Sequence, residues 1–335
     1  MTATTPPLPR ELQLEVTGAC NLACKMCLVR YRPKLGRREG AMCFHVFKAV
    51  VDDLPELEKL TLQGLGEPLL ARDFDEMVEY ACARGIRVGF NTNGTLLTRE
   101  RAERLVAAGV DWLHISLDGA TKETYEGVRD GSDFERVTTN IAALVDVRLA
   151  HGTGRPTIQL VFVAMRRNLH ELSALVRLAA DLGVESVWVQ NLSHSFSDTD
   201  PSGGYAEIRR FAAAEALWAA PNPQAVRRFE DAQALANELG IDLRLPRLEE
   251  PPPVNRPTGS PGCHWPFESA YVTHDGDVQP CCMVMGADRA VLGNAERSGF
   301  ATVWRNDEYE AFREALLTEH PPEVCSGCSL YRRVF

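Results

Sequence analysis

The sequence of 335 residues lacks long apolar runs, and none approaches the roughly 18 residues that span a bilayer. Basic side chains are also in short supply, since 36 Lys and Arg stand against 46 Asp and Glu and leave a net charge of −10. Proteins that hold nucleic acid by its phosphates carry the opposite charge. A membrane-spanning protein is therefore excluded, and we expect neither a membrane nor a nucleic acid as a partner.

A targeting signal is missing as well. Residues 1–10 contain three prolines, no cationic start and no apolar stretch, whereas a secretory signal has a basic start followed by an apolar core. We expect this segment to be a tail and the protein to be cytoplasmic.

Cysteine, in contrast, is plentiful. The chain has ten cysteines, and clustered thiols in a reducing compartment bind metal or do chemistry more often than they form disulfides. Eight of them fall into one group near the start and one near the end: Cys20, Cys24 and Cys27, then Cys263, Cys281, Cys282, Cys325 and Cys328. Cys82 lies within an apolar helical pattern and is expected to be buried as a small hydrophobic residue. We expect the same of Cys43.

Strand patterns alternate with helical patterns over residues 11–192. Period-two alternation predicts strands at 12–16, 59–63, 86–90, 112–117, 157–163 and 186–190, and helical spacing predicts helices at 44–54, 74–83, 99–108, 134–149 and 169–182. Such alternation calls for a parallel sheet with right-handed crossovers. The predicted fold is therefore α/β, a partial (β/α)6 barrel over 11–192, with ligands at the carboxyl ends of its strands.

A different pattern follows residue 192. Residues 193–261 hold two helical patterns, at 208–219 and 223–239, and end in a proline-rich stretch typical of a linker. Beyond them, Asp275-Gly276 between two strand patterns is a hairpin signal, and 302–317 has the spacing of a closing helix. We expect a small second domain at 262–335, built from a β-hairpin and a helix.

The loop after the first predicted strand reads Cys20-Asn-Leu-Ala-Cys24-Lys-Met26-Cys27, which places three thiols in eight residues. A structural zinc site or a complete iron-sulfur site takes four ligands, and no fourth cysteine is nearby. Three thiolates on a four-iron cubane leave one iron open to an outside ligand, as a catalytic cluster requires. This spacing, with the bulky Met26 before the last cysteine, resembles that of the radical S-adenosylmethionine (radical SAM) enzymes, and the resemblance places Met26 at the cofactor.

The loop after the second predicted strand carries a second part of the resemblance. Gly66-Glu67-Pro68 is similar to the segment by which radical SAM enzymes bind the amino group of the cofactor. A carboxylate together with turned backbone carbonyls can hold an ammonium group. Leu65 stands where the family has a further glycine.

Later strand ends carry the remaining motifs. Asn93 lies in an Asn-Thr-Asn-Gly run after the third predicted strand, and Ser116 and Asp118 lie in a Ser-Leu-Asp-Gly run after the fourth. Four successive strand ends thus match the family in order, and the resemblance assigns these three residues to the cofactor site.

Three further polar residues are candidates for the same site. An arginine can make a bidentate contact with a carboxylate, so we expect Arg129 at the cofactor carboxylate and Arg166 as a catalytic contact to a substrate oxygen. Exposure at the surface is the alternative for each. Gln190 ends the sixth predicted strand and is expected to read the adenine or the substrate.

The C-terminal cysteines resemble the auxiliary-cluster domain called SPASM, in its shortened twitch form. Ligands for only one cluster are present, and the resemblance implies Cys263, Cys281, Cys325 and Cys328 as the complete set. Adjacent residues on a strand point to opposite faces, so Cys281 and Cys282 should not both bind one cluster. The spacing to Cys263 favours Cys281, and the sequence leaves the choice between the two open.

The resemblance implies three cofactors: a SAM-binding [4Fe–4S] cluster, an auxiliary [4Fe–4S] cluster and S-adenosylmethionine. It also implies a reductase, such as a flavodoxin or ferredoxin, and a 5′-deoxyadenosyl radical that takes hydrogen from the substrate. With one auxiliary cluster as electron acceptor, we expect the oxidation of a small polar substrate, such as a sugar, aminocyclitol or nucleoside, in antibiotic biosynthesis.

Other outcomes of the same radical stay open. A thiol that returns hydrogen, with Cys282 or Cys43 as the catalytic donor, gives an epimerase, and decarboxylation or carbon–carbon bond formation are further options. Ribosomal peptides form the other substrate class, which we place second because only about ten residues precede the first predicted strand. A structural metal-binding scaffold is the non-enzymatic alternative, and the Gly-Glu-Pro and Ser-Leu-Asp-Gly loops argue against it.

Overall fold

The computed structural model of the chain describes residues 6–31, 40–192, 194–196, 200, 203–218, 222–249, 261–284, 286 and 289–334. Ten strands lie within these residues: β1 (Glu11–Leu14), β2 (Lys59–Leu62), β3 (Arg87–Thr92), β4 (Trp112–Ser116), β5 (Thr157–Val163), β6 (Ser186–Gln190), β7 (Asp242–Arg244), β8 (Ser269–Val272), β9 (Asp277–Gln279) and β10 (Gly293–Asn294).

In the described part of the chain these strands form one sheet, in the order β10-β9-β8-β1-β2-β3-β4-β5-β6-β7. The pairs from β8 through β1 to β7 are parallel, and the pairs β8–β9 and β9–β10 are antiparallel. The six predicted strands are β1 to β6, and they follow one another in chain order. The partial (β/α)6 barrel is therefore confirmed, and β7 and β10 extend its sheet beyond the prediction.

The predicted C-terminal hairpin, β8 and β9, is part of the barrel's own sheet. Residues 11–14 of β1 pair in register with residues 269–272 of β8. The first strand of an open barrel would otherwise present a row of unpaired N–H and C=O groups. By pairing with β1, β8 satisfies these groups and places the hairpin directly beside the loop that follows β1.

Twelve α-helices lie within the described residues: α1 (Phe44–Asp52), α2 (Phe74–Ala83), α3 (Arg99–Ala108), α4 (Lys122–Val128), α5 (Phe134–His151), α6 (Leu172–Asp181), α7 (Ala206–Glu215), α8 (Pro223–Leu239), α9 (Trp265–Glu268), α10 (Ala295–Ser298), α11 (Phe300–Trp304) and α12 (Asp307–Leu316). None of the helices found there is both long enough and apolar enough to cross a bilayer.

Two helical regions differ from the prediction, and side-chain caps explain both. The short helix α4 is not visible as a periodic pattern, but it begins where the Thr121 side chain accepts a hydrogen bond from the Thr124 N–H. The predicted helix at 302–317 is two helices, because the Asn306 side chain accepts from the Tyr309 N–H and starts α12 afresh. Residues 250–260, most of the predicted proline-rich linker, lie outside the described residues.

The barrel strands alternate between an apolar outer face and a polar inner face. Leu12 and Leu14 of β1, like the matching positions of the other strands, are buried in the main hydrophobic core. We call the opposite side the inner face; its polar members include Gln13, Thr61, Asn91, His114, Ser116, Gln159, Ser186 and Gln190. Parallel strands buried on both faces usually read as continuous apolar runs, so this polar face marks a lumen for a ligand.

A buried carboxylate joins the barrel to the hairpin. Glu15 follows β1 and is 0% exposed. Its Oε2 accepts hydrogen bonds from the Leu65 N–H (2.8 Å) and the Tyr271 hydroxyl (2.7 Å), and its Oε1 lies 2.9 Å from Nδ1 of His274. A carboxylate is stable at such a depth only when it is paired and hydrogen-bonded. Glu15 therefore holds the end of β1 to the loop after β2 on one side and to the hairpin on the other.

We predict that Glu15→Ala destabilises the protein. Because it removes a buried acceptor shared by three groups, the free energy of unfolding should fall by about 3 kcal/mol, as for other broken buried pairs. Urea unfolding of the anaerobic, metal-loaded protein measures the change. The control is Glu58→Ala, which removes an exposed partner of Arg10 and should have little effect; equal effects of the two variants would contradict the role of Glu15.

Candidate functional site

Three cysteine thiols meet in the loop that follows β1. The Leu22 N–H donates to Sγ of Cys20 at 3.4 Å, and the Cys27 N–H donates to the Cys24 carbonyl at 3.1 Å. The pKa of Cys24 is raised to about 12, mainly by burial, with the charge of Arg129 opposing the shift and the neighbouring thiols of Cys27 and Cys20 adding to it. The three sulfurs are thus within electrostatic reach of one another at the carboxyl end of β1, as the spacing predicts.

The donor set of this loop fits an iron-sulfur cluster. Thiolates are the iron ligands of such clusters, and the three cysteines would leave the fourth iron of a cubane open.

The loop after β2 is fastened to this cysteine loop. A Cβ at Gly66 would lie 2.1 Å from the Thr17 carbonyl oxygen, so only glycine permits this approach. The Glu67 N–H then donates to the Ala19 carbonyl at 2.8 Å. Pro68 opens a short 3-10 helix that turns the chain away. The Gly66-Glu67-Pro68 segment is therefore placed directly against the cluster loop.

The Glu67 carboxylate serves this loop in a way that the sequence did not indicate. It is 2% exposed and accepts hydrogen bonds from the Leu69 N–H (3.2 Å), the Thr92 hydroxyl (2.7 Å) and the Asn93 N–H (2.7 Å). The carboxylate thereby braces the loop against the end of β3. Its contact with the ammonium of the cofactor stays a prediction.

Asn93 lies beside the cluster loop. Its amide Nδ2 is 3.9 Å from Sγ of Cys20 and donates to Oδ1 of Asn21 at 2.9 Å. Its own Oδ1 accepts from the N–H and the hydroxyl of Thr95. The predicted placement of Asn93 near the cofactor site agrees with this position, and the supporting residues Asn21 and Thr95 carry no sequence signal of their own.

Asp118 and Arg129 form a buried ion pair beneath the cysteine loop. Oδ2 of Asp118 accepts from Nε (2.7 Å) and Nη2 (2.6 Å) of Arg129, and its Oδ1 accepts from the Val163 N–H (2.7 Å). Nη1 of Arg129 lies 3.8 Å from Sγ of Cys24. Burial alone would lower the pKa of Arg129, but the Asp118 carboxylate outweighs it and the pKa is raised. Arg129 is therefore held as a cation next to a cluster ligand.

The remaining candidate residues of the first site differ in burial and in position. Ser116 and Gln190 are half-buried at the carboxyl ends of β4 and β6, on the inner face. Met26 packs against a separate apolar cluster that includes Met165 at the end of β5. Arg166 is exposed, and its backbone N–H donates to the Glu215 carbonyl at 3.1 Å. Its contact with a substrate oxygen stays a prediction.

The C-terminal cysteines line a second, largely apolar cavity. Its walls include Cys263, Cys281, Cys325 and Cys328 together with side chains such as Met283 and Val324. Burial raises the pKa of Cys281 well above its ordinary value, and neighbouring thiols add to the effect. These are the four residues of the predicted ligand set. Four thiols around one apolar space fit a fully ligated [4Fe–4S] cluster.

Cys282 is not among the residues that line this cavity. Its thiol is nevertheless close, since burial raises its pKa to about 12 and the sulfurs of Cys328 and Cys263 contribute. The arrangement supports Cys281 as the ligand. The thiol of Cys282 lies near the cavity but does not line it.

The segment 194–196, for which the sequence analysis predicts neither a helix nor a strand, holds the last cysteine pair. His194 forms an antiparallel bridge with Cys328, and the Ser195 N–H donates to the Gly327 carbonyl at 3.1 Å. A Cβ at Gly327 would lie 2.6 Å from the His194 ring. Burial, with the charge of Arg289, lowers the pKa of His194 to about 3, so its imidazole is neutral.

The two isolated cysteines behave differently from each other. Cys82 is half-buried and packs against the main core, as predicted. Cys43 is exposed at the start of α1, so the expectation that it is buried is wrong. Its place one residue before the helix explains why an apolar pattern suggested burial.

The comparisons with known proteins agree with this geometry. A model of the radical SAM superfamily matches residues 14–187, more than half of the chain, and the protein belongs to that superfamily. A second model, for an iron-sulfur cluster-binding domain of the SPASM type, matches residues 263–329. The protein is therefore a radical SAM enzyme with an auxiliary-cluster domain, and its cofactors are S-adenosylmethionine, the [4Fe–4S] cluster that binds it and the auxiliary cluster.

Several relatives cover most of the chain. It is 28% identical to the tungsten-containing aldehyde ferredoxin oxidoreductase cofactor-modifying protein of Pyrococcus furiosus, over 96% of this chain and 87% of that protein. It is 29% identical to mycofactocin maturase MftC of Mycobacterium tuberculosis, over 96% of this chain and 76% of the maturase. In fold it is similar to Streptococcus suis SuiB bound to S-adenosylmethionine, with a TM-score of 0.70 and 16% identity over 97% of this chain and 72% of SuiB.

We predict that replacing Cys20, Cys24 and Cys27 together with alanine removes half of the iron and sulfide. The first of two clusters of equal size loses its ligands, while the C-terminal cysteines still hold the auxiliary cluster. Iron and sulfide analysis of anaerobically purified protein measures the loss. Cys43→Ala, at an exposed position, is the control and should keep full content. Zinc without sulfide in the unaltered protein would contradict both assignments.

We also predict that substitutions of the adjacent residues Cys281 and Cys282 have different effects on the auxiliary cluster. Cys281→Ala should lose the auxiliary cluster and Cys282→Ala should keep it, because only Cys281 lines the cavity. Iron content and the electron paramagnetic resonance (EPR) spectrum of the reduced protein distinguish the two variants. The reverse order would show that Cys282 is the ligand.

Proposed function

We propose that this enzyme oxidises a small polar substrate by radical chemistry, with the auxiliary site taking up the substrate's electron. The observation that carries the proposal is the cavity lined by four cysteines. A cluster with four protein ligands has no open iron at which a substrate can bind, so its remaining use is electron transfer. The turn of the hairpin, at 273–276, lies at the carboxyl end of β1, and the antiparallel β9 leads from this turn to Cys281.

The residues after β1 and β2 prepare the first step. Cys20, Cys24 and Cys27 would hold the cluster, and the Gly66-Glu67 backbone, braced against the same loop, would orient the methionine end of the cofactor. When bound and reduced, this centre supplies one electron to break the sulfonium carbon–sulfur bond, which releases methionine and a 5′-deoxyadenosyl radical.

The remaining atoms and electrons balance for an oxidation. The substrate gives one hydrogen atom to the radical, which becomes 5′-deoxyadenosine. The substrate radical would then lose one proton and one electron. Cys263, Cys281, Cys325 and Cys328 would hold the cluster that accepts this electron. The external reductant, for which we propose a flavodoxin- or ferredoxin-like protein, supplies the electron consumed in the first step.

The inner face supports a neutral, hydrogen-bonding substrate. Asn91, His114 and Gln159 lie side by side on neighbouring strands, and Nδ1 of His114 is 3.1 Å from Oδ1 of Asn91. Burial lowers the pKa of His114 to about 4, so its ring is uncharged near neutral pH. Amides and a neutral imidazole suit hydroxyl and amino groups of a sugar, aminocyclitol or nucleoside, of the kind found in antibiotic biosynthesis.

A peptide is the second candidate substrate. SuiB, whose fold this chain shares, has also been solved with its precursor peptide SuiA. The mycofactocin maturase covers nearly all of this chain at 29% identity. A ribosomal peptide is therefore included as an alternative outcome of the test.

We predict substrate-dependent 5′-deoxyadenosine formation coupled to net oxidation. Reduced enzyme, S-adenosylmethionine and a panel of polyols, aminocyclitols, nucleosides and peptides are incubated anaerobically, and 5′-deoxyadenosine and a carbonyl product are quantified by mass spectrometry. The triple cysteine variant should form neither. Cys325→Ala should still cleave the cofactor but yield little carbonyl product, because the electron has no acceptor.

Two results would contradict this scheme. Incorporation of solvent deuterium without net oxidation, abolished by Cys282→Ala, would establish an epimerase with Cys282 as hydrogen donor. Turnover of peptides alone would replace the small-molecule substrate. A substrate deuterated at the reacting carbon should transfer its label to 5′-deoxyadenosine in all of these cases and so confirms the radical step separately.

A further inference from the structure

The guanidinium of Arg129 has two different neighbours. Nε and Nη2 are bound by one carboxylate oxygen of Asp118, at 2.7 and 2.6 Å. Nη1 points away from this pair to Sγ of Cys24, at 3.8 Å, within the range of a hydrogen bond to sulfur. Asp118 is 0% and Arg129 is 7% exposed, so water does not screen the contact.

The pair is held rigidly from several sides. Oδ1 of Asp118 accepts from the Val163 N–H at 2.7 Å, and the Asp118 carbonyl accepts from Nδ2 of Asn168 at 3.0 Å. Arg129 ends α4, and its N–H donates to the Tyr125 carbonyl at 2.9 Å. Both partners are thus fixed by backbone from β5 and α4, which leaves the direction of Nη1 little freedom.

We propose that the Asp118–Arg129 pair sets the reduction potential of the first cluster, through the N–H···S hydrogen bond that Arg129 donates to Cys24. This inference rests on the proposed binding of that cluster by Cys20, Cys24 and Cys27. On one-electron reduction by the external donor, the added negative charge is shared with the thiolate sulfurs. A cationic donor at Cys24 stabilises that reduced state and raises the potential, since hydrogen bonds to sulfur and local charge are what tune such clusters.

The sulfur of Cys20 provides a contrast within the same loop. Its donors are the neutral Leu22 N–H at 3.4 Å and the neutral Asn93 amide at 3.9 Å. A neutral donor stabilises a developing charge less than an ionised one does. Arg129 therefore gives the Cys24 sulfur a charged donor where the Cys20 sulfur has neutral ones, and Asp118 fixes this cation in place.

The experiment measures the midpoint potential of the first cluster by EPR-monitored redox titration, without S-adenosylmethionine, so that a contact to the cofactor carboxylate cannot contribute. The main variant is the double substitution Asp118→Asn with Arg129→Gln, which leaves no unpaired buried charge. We expect the equilibrium constant for reduction of the cluster to fall at least tenfold, which lowers the midpoint potential by about 59 mV for a one-electron couple. The Arg129→Lys variant keeps the charge but loses the planar, forked donor geometry of arginine. Its midpoint potential should fall by less.

Two controls separate this effect from a general loss of structure. Arg148 is also a buried arginine paired with a carboxylate, Glu185, but it lies among the loops before β5 and β6, at the opposite end of the barrel. The double variant Arg148→Gln with Glu185→Gln should leave the potential unchanged. The potential of the auxiliary cluster should be unchanged in every variant.

The outcomes are distinguishable from failure of the proposed function. Full iron content with an unshifted potential in the Asp118/Arg129 double variant overturns the inference and leaves the cluster assignment intact. Weaker S-adenosylmethionine binding with an unshifted potential would instead place Arg129 at the cofactor carboxylate and also overturns it. If the double variant does not retain its iron, Arg129→Lys decides: an unchanged potential refutes the proposal, and a lowered one supports it.

Discussion

The pairing of β1 with a strand on each side is the constraint on which the molecule depends. β2 lies on one side and brings the Gly66-Glu67-Pro68 loop to the end of β1, while β8 lies on the other and brings the hairpin turn that contains His274. Because neighbouring parallel strands end at the same edge of a sheet, three chemically distinct loops meet there. Glu15, directly after β1, binds both flanking elements and fixes their relative position.

The buried carboxylates of Glu15, Glu67 and Asp118 mainly hold neighbouring elements together. Glu67 accepts donors from the end of β3, Asp118 orients Arg129 and anchors β5, and Glu15 joins β1 to the hairpin. A buried carboxylate is costly unless several donors satisfy it, and each of these has such donors. The cofactor loops are consequently stiff before any ligand arrives, so less ordering has to occur on binding.

The repetitive part of the structure could be predicted from sequence because its signals are local. The alternation in 157–163 and 186–190 gives β5 and β6 with the correct ends, and the cysteine spacings give both thiol groups. What escaped prediction depends on contacts between distant residues. The pairing of β8 with β1, the bridge of His194 to Cys328 and the roles of Glu15 and Glu67 have no periodicity to reveal them.

The pairing of β1 with β8 also constrains how the chain folds. Residues 11–14 must find their partners at 269–272, across the whole barrel sequence. Contacts of such sequence separation form slowly, and until they form one border of the sheet is open to association with other chains.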